Sequence, residues 1–155
     1  MRAGHAIREY WKRPELTEDL FRNGWLHTGD IGRMDERGYV YILDRKKDMI
    51  ISGGFNIYPR DVEDALATHP DVAMAGVIGI PDSKWGEAVC ALIVARPGAQ
   101  PDAQSLIEHV KARKGAAHAP KRVEIVEALP LTAVGKVDKK ALRARYWKGR
   151  ERMVG

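Results

Sequence analysis

The sequence has almost no cysteine, no long apolar run and none of the common nucleotide or metal signatures, and each absence closes a class of function. Cys90 is the sole cysteine among 155 residues. No internal disulfide can form, and a reducing cytoplasm is the expected setting. No apolar stretch approaches the roughly 18 residues that a membrane span needs. The opening MRAGHAIREYW has no apolar signal core, which argues against secretion. Neither GxxxxGK with a following Ser or Thr nor GxGxxG occurs, so no phosphate cradle at a helix N-terminus is expected. His5, His27, His69, His109 and His118 are scattered, without a His-x3-His pair or a Cys/His cluster, and no metal site is expected. Internal repeats and low-complexity tracts are absent as well.

What is present is ordinary in bulk. A hydrophobic fraction of 45% and a charged fraction of 30% suit a globular chain. This length fits one domain, or one domain with a short appendage, burying roughly 70% of the unfolded surface. The net charge of +5 favours polyanionic partners: nucleic acid, an acidic membrane or a phosphate-rich small molecule. Much of the excess lies in GKVDKKALRARYWKGRERM, which also reads as a solvated helix face. That stretch lacks interleaved aromatics or a recognised module, so nucleic acid is not an expected partner.

Residues 1–28 show little periodicity. From Ile31 to Leu43 the alternation of Tyr39 and Tyr41 with Val40 and Ile42, around a DERG turn, predicts a hairpin. A second hairpin is expected in DMIISGGFNIYP, with Gly53 and Gly54 at the turn. Pro59 then opens a helix with Asp61, Glu63 and Asp64 in its early turns, and Pro70 forbids continuation. Buried strands are expected at 72–80 and 87–95, separated by the loop PDSKWG. A helix is predicted from about Asp102 to Lys114 with Gly115 at its end, and a third strand at 122–129. After the loop LPLTAVG, Asp138 should cap a last helix whose inner face includes Leu142 and Tyr146. The expected class is α+β: a small three-stranded sheet covered by helices, plus a β-hairpin.

Three stretches carry candidate chemistry. In GWLHTGD, Asp30 is placed to accept hydrogen bonds from two neighbouring sugar hydroxyls, or simply to cap a turn. In DRKKDMIISGGFNIYP, small residues allow a ligand to approach the backbone beside Arg45, Lys46 and Lys47. An ordinary hairpin with charged flanks has the same pattern. In LPLTAVGKVDKKALR, Lys136 follows a glycine in a loop, where a lysine can supply a point charge to phosphate oxygens or remain merely solvated. Cys90, inside an apolar strand, reads as an inert buried thiol.

In this order and spacing the three stretches resemble the tail motifs of the adenylate-forming superfamily, which includes acyl- and aryl-CoA ligases, peptide-synthetase adenylation domains and beetle luciferases. The resemblance runs from about Ile7 to Trp147. It implies that residues 1–44 are the last edge of a large N-terminal adenylation body and that 45–155 form its mobile C-terminal lid. Asp30 and Arg45 would grip the ribose of ATP or AMP, and Lys47 would be the hinge. Ser52, Gly53 and Gly54 would line the pantetheine tunnel of CoA, with Lys121 near its nucleotide, and Lys136 would enter the active site during adenylation. Within the superfamily, Pro59 and SGGFNIYP look like acid–CoA ligases, with fatty acids favoured. Ile51 stands where luciferases and many other members have a lysine, which argues against light emission. The alanines of AAHAPKR replace an aromatic and an arginine that some members offer to CoA.

The implied chemistry is attack of a carboxylate on Mg-ATP, giving acyl-AMP and pyrophosphate, then displacement of AMP by the thiol of CoA. Mg2+ would be held with ATP by the body, so the isolated chain is expected to turn nothing over. The competing expectation is a free-standing binding module that acts with a partner subunit.

Overall fold

The apolar run at 87–95 is the central strand of the larger of two units in a computed structural model that describes residues 6–149. The units are Met1–Arg45 and Lys46–Gly155.

In the first unit, α1 (Pro14–Leu20) begins on a proline, whose missing N–H costs nothing at the first helical position. Strands β1 (Phe21–Arg22) and β2 (Trp25–Leu26) pair across Asn23 and Gly24, whose φ values are 54° and 75°. Asn-Gly is the favoured dipeptide for this tight turn, so the pair was readable in a region that showed no periodicity. The expected hairpin follows as β3 (Asp30–Met34) and β4 (Val40–Arg45), antiparallel, with an irregularity between Ile31 and Gly32. One Asp35 oxygen accepts the amides of Arg37 and Tyr39, both at 3.0 Å, and the other accepts the Tyr41 hydroxyl at 3.1 Å. The Tyr39 amide above all holds this carboxyl below its ordinary pKa, against a smaller desolvation effect. No described residue of this unit is buried.

The second unit opens with a 3-10 turn, Lys46–Asp48, and then the second expected hairpin, β5 (Ile50–Ser52) and β6 (Phe55–Ile57). Helix α2 (Pro59–Ala67) leads into β7 (Val72–Asp82) and β8 (Gly86–Ala95), which pair antiparallel along their length. Helix α3 (Ala103–Lys114) is capped by the Asp102 carboxylate, which accepts the Ser105 amide at 2.8 Å. Strand β9 (Arg122–Ile125) lies parallel to β8. Asp138 caps α4 (Lys139–Ala144) as expected, accepting the Ala141 amide at 3.0 Å.

The α+β class holds, and the hairpin joins the sheet rather than standing beside it. Ser52 pairs with Gly86, which makes five strands in the order β6-β5-β8-β7, with β9 on β8. The sheet is covered on both faces. Val89, Ala91 and Ile93 pack with Val62, Leu66, Leu106 and Val110 of α2 and α3. Cys90 and Leu92 point the other way and pack with Ile78, Leu129 and Leu142. Burial on both faces explains why 87–95 reads as a continuous apolar run rather than an alternating one. Gly76 lets the second layer close: a Cβ there would lie 3.1 Å from Leu142 and 3.2 Å from Val137.

Three expected bounds are corrected. The third strand ends at Ile125, not 129. Val126 and Leu129 both pack on the second layer, although residues three apart in a strand face opposite ways, so the chain must leave the sheet before Leu129. The loop at PDSKWG is shorter than expected, because β7 runs to Asp82 and β8 starts at Gly86. Helix α4 ends at Ala144. Tyr146 lies beyond it but still packs on the second layer, its hydroxyl donating to Glu124 at 2.8 Å. Burial, the largest cause, together with that carboxylate, raises the Tyr146 pKa. Cys90 is fully buried, and burial, with a smaller push from Glu124, takes its thiol up to about 11, in keeping with an inert thiol.

Candidate functional site

The structure gathers the candidate residues into three places. In the first unit, Asp30 and Arg45 are register partners at the open end of the β3–β4 hairpin. Arg45 Nε lies 2.7 Å from Asp30 Oδ1, with the side chains 58% and 24% exposed. Gly29, with φ of 75°, turns the chain into β3, and the Asp30 amide donates to the Thr28 hydroxyl at 3.2 Å. A carboxylate has about four lone-pair directions, so one guanidinium contact leaves acceptors for further hydroxyl donors. An exposed pair of this kind contributes at most about 1 kcal/mol to folding.

The second place is the β5–β6 turn of the second unit. Gly53 and Gly54 have φ of 57° and 83°, the left-handed region that favours glycine. The Gly53 amide donates to the Trp85 carbonyl at 2.9 Å, and a Cβ on Gly53 would lie 2.6 Å from Trp85 Cε3. The indole therefore rests on bare backbone. Lys84 Nζ stands 4.8 Å from that ring's centroid and Lys121 Nζ 5.9 Å. Ser52 is buried beneath, at its pairing with Gly86. Ser52, Gly53 and Lys121 thus share one neighbourhood, while Gly54 faces open space. Trp85 and Lys84 were missed from sequence. Trp85 rests on a turn distant from it in sequence, and no local signal in PDSKWG announces that contact.

The third place is the loop that carries Lys136. Leu131 and Val137 form a β-bridge at its base, and the Asp138 amide donates to the Pro130 carbonyl at 2.8 Å. Inside, the Thr132 amide donates to the Lys136 carbonyl at 2.7 Å and the Gly135 amide to the Thr132 carbonyl at 2.9 Å. The Lys136 amide donates to the Thr132 hydroxyl at 3.2 Å. Gly135, at φ of 76°, supplies the left-handed step. The loop is a pinned stem presenting an exposed lysine, and among the described residues no hydrogen bond or ion pair engages that ammonium. Lys47, exposed, lies in the 3-10 turn at the start of the second unit. Among the described residues, no group of three or more His, Cys, Asp or Glu side chains could hold a metal ion.

Residues 61–136 match the AMP-binding enzyme C-terminal domain. Over 153 residues the chain is 52% identical to the medium/long-chain-fatty-acid–CoA ligase FadD8 of Mycobacterium tuberculosis, covering 94% of this chain and 27% of the relative. Among solved structures it is similar to the amide bond synthetase McbA of Marinactinospora thermotolerans, at 45% identity and a TM-score of 0.79, over 88% of this chain and 28% of that one. ATP-bound MatB of Rhodopseudomonas palustris superposes with a TM-score of 0.81 at 41% identity, over 88% and 27%. The chain therefore spans a little over a quarter of the length of the relatives it matches.

Proposed function

We propose that this chain is the C-terminal portion of an acid–CoA ligase, which converts ATP, a carboxylic acid and CoA into acyl-CoA, AMP and pyrophosphate. The observation that carries the reading is the Lys136 loop: a rigid stem holding a cation that no described acceptor neutralises. Attack on the α-phosphorus concentrates negative charge on the non-bridging oxygens and the leaving pyrophosphate. A lysine ammonium brought there stabilises that charge, a role worth roughly 3 kcal/mol or more. In this reading Asp30 accepts the ribose hydroxyls while Arg45 orients it, and Lys47 is the pivot about which the second unit turns. Ser52, Gly53 and Gly54 then line the pantetheine arm, with Lys121 toward the CoA phosphates. The first unit is the edge of the adenylation body, and the Mg2+ that accompanies ATP is held outside these residues. Similarity to FadD8 favours a fatty acid as substrate, and the single cysteine fits a reducing cytoplasm.

The test joins this chain to a ligase body that lacks its own lid. Lys136→Ala should cut pyrophosphate release about a hundredfold or more, yet leave thioester formation from supplied acyl-AMP within a few-fold. Equal loss of both half-reactions would remove Lys136 from the adenylation step. No pyrophosphate release from the parent fusion would instead favour the non-catalytic binding module.

A further inference from the structure

Helix α4 follows the lysine loop directly, and its six residues are too few to be stable alone. Three contacts fix it. Leu142 is fully buried in the second layer. Lys139 Nζ lies 2.9 Å and 3.1 Å from the two oxygens of Glu63, and Glu63 also accepts the Val77 amide at 2.8 Å. The third contact reaches farthest along the chain. Arg143 Nη1 donates to Asp48 Oδ1 at 2.6 Å across 95 positions, with the side chains only 15% and 12% exposed. Asp48 closes the 3-10 turn that contains Lys47.

A buried ion pair is weak evidence for stability, since an apolar pair of similar volume often does as well. What the charges supply is a directional tie between two chosen points. Here those points are the turn that starts the second unit and the helix that carries the lysine stem. We infer that Asp48 and Arg143 are positioning residues that lock the Lys136 loop to the Lys46–Asp48 turn, so that rotation is confined to the bonds before Asp48 and reaches Lys136 without slack. This rests on the reading of Lys136 as the adenylation cation and deepens it. Neither residue needs to touch substrate.

Two measurements test it, and they fail separately. In the 155-residue chain, Arg143→Met and Asp48→Asn should speed amide hydrogen exchange at 132–142 at least tenfold, with β7, β8 and α2 unchanged. Uniform acceleration, or none, overturns the tie. In the chain joined to a ligase body, the same variants should slow adenylation ten- to a hundredfold and leave the thioester step within about threefold, with Arg143→Lys falling between them and the parent. Equal slowing of both steps, or no slowing, overturns the positioning role. Lys136→Ala in parallel separates the two ideas: if it spares adenylation while the exchange result stands, the tie is real and the reading of Lys136 is wrong.

Discussion

The two units of this chain obey the same local rules and reach opposite ends of the burial scale. In the first, the β3–β4 hairpin has good register and a well-satisfied turn, yet both of its faces are wet. Met34, Val40 and Ile42 are 70%, 64% and 61% exposed on one face, and Tyr39 and Tyr41 are exposed on the other. Arg33 lies over the Tyr41 ring and Arg37 over the Tyr39 ring. In the second unit β7 and β8 are covered on one face by α2 and α3 and on the other by Val126, Leu129 and Leu142. Turn chemistry and register therefore specify a hairpin without stabilising it. Burial does the stabilising, at about 25 cal/mol per Å² of apolar surface, and among the described residues only the second unit has fully buried side chains. A two-stranded hairpin alone is marginal in water.

The largest effect expected from this contrast concerns folding itself. Residues 46–155 alone should unfold in one cooperative transition followed by circular dichroism, and residues 1–45 alone should show no transition. A dispersed amide spectrum from 1–45 would overturn the contrast. Next in size are truncations inside each unit. Leu142→Ala, at a fully buried position, should lower unfolding free energy by about 2–5 kcal/mol in urea titration. Ile42→Ala, 61% exposed, should stay within about 0.5 kcal/mol. Comparable losses at the two positions would show that the first unit has a core after all.

A smaller effect separates two glycines of the second unit. Gly53 and Gly135 both have positive φ, so alanine at either costs about 1 kcal/mol in backbone strain. Gly135 faces open space, whereas a Cβ on Gly53 meets the Trp85 ring. Gly53→Ala should therefore be the more destabilising and should also shift the tryptophan fluorescence, while Gly135→Ala leaves the spectrum alone. Equal destabilisation with an unchanged spectrum would mean that Trp85 gives way freely.

How much was legible follows the same division. Both hairpins, α2, α3 and the capped α4 were readable because each carries a local signal: paired glycines, a proline start, or an Asp at the cap. The end of β9 was not readable, because Val126 and Leu129 look like further strand residues and only the tertiary layers put the two, three positions apart, on one core. Helix α1 was missed in a stretch without an apolar stripe, and no residue of it is buried. Among the candidate site residues, Asp30 and Arg45 were named from the motif, and the structure puts them in contact through strand register. Trp85, Lys84 and the Asp48–Arg143 pair join residues far apart in sequence, and no spacing rule announces such pairs.

The smallest effect expected is a pH dependence confined to the second unit. His109 of α3 lies with Nε2 3.1 Å from the Ala65 carbonyl and 2.8 Å from the Thr68 hydroxyl, while Arg113 Nη1 is 3.2 Å from Nδ1. An arginine can only donate, so Nδ1 accepts and the proton sits on Nε2, which defines a neutral ring. Burial first, then the Arg113 charge and the His69 ring at 4.9 Å, lower its pKa below the ordinary 6.5, against the pull of the Ala65 carbonyl. The folded state then binds fewer protons than the unfolded state below pH 6.5, so stability rises with pH there. The contribution is complete above 6.5 and is lost as pH falls through the folded value. Urea midpoints of the 46–155 chain should fall between pH 7.5 and pH 5, and His109→Gln should flatten that slope. An unchanged slope in the variant would remove His109 as the source of the acid sensitivity.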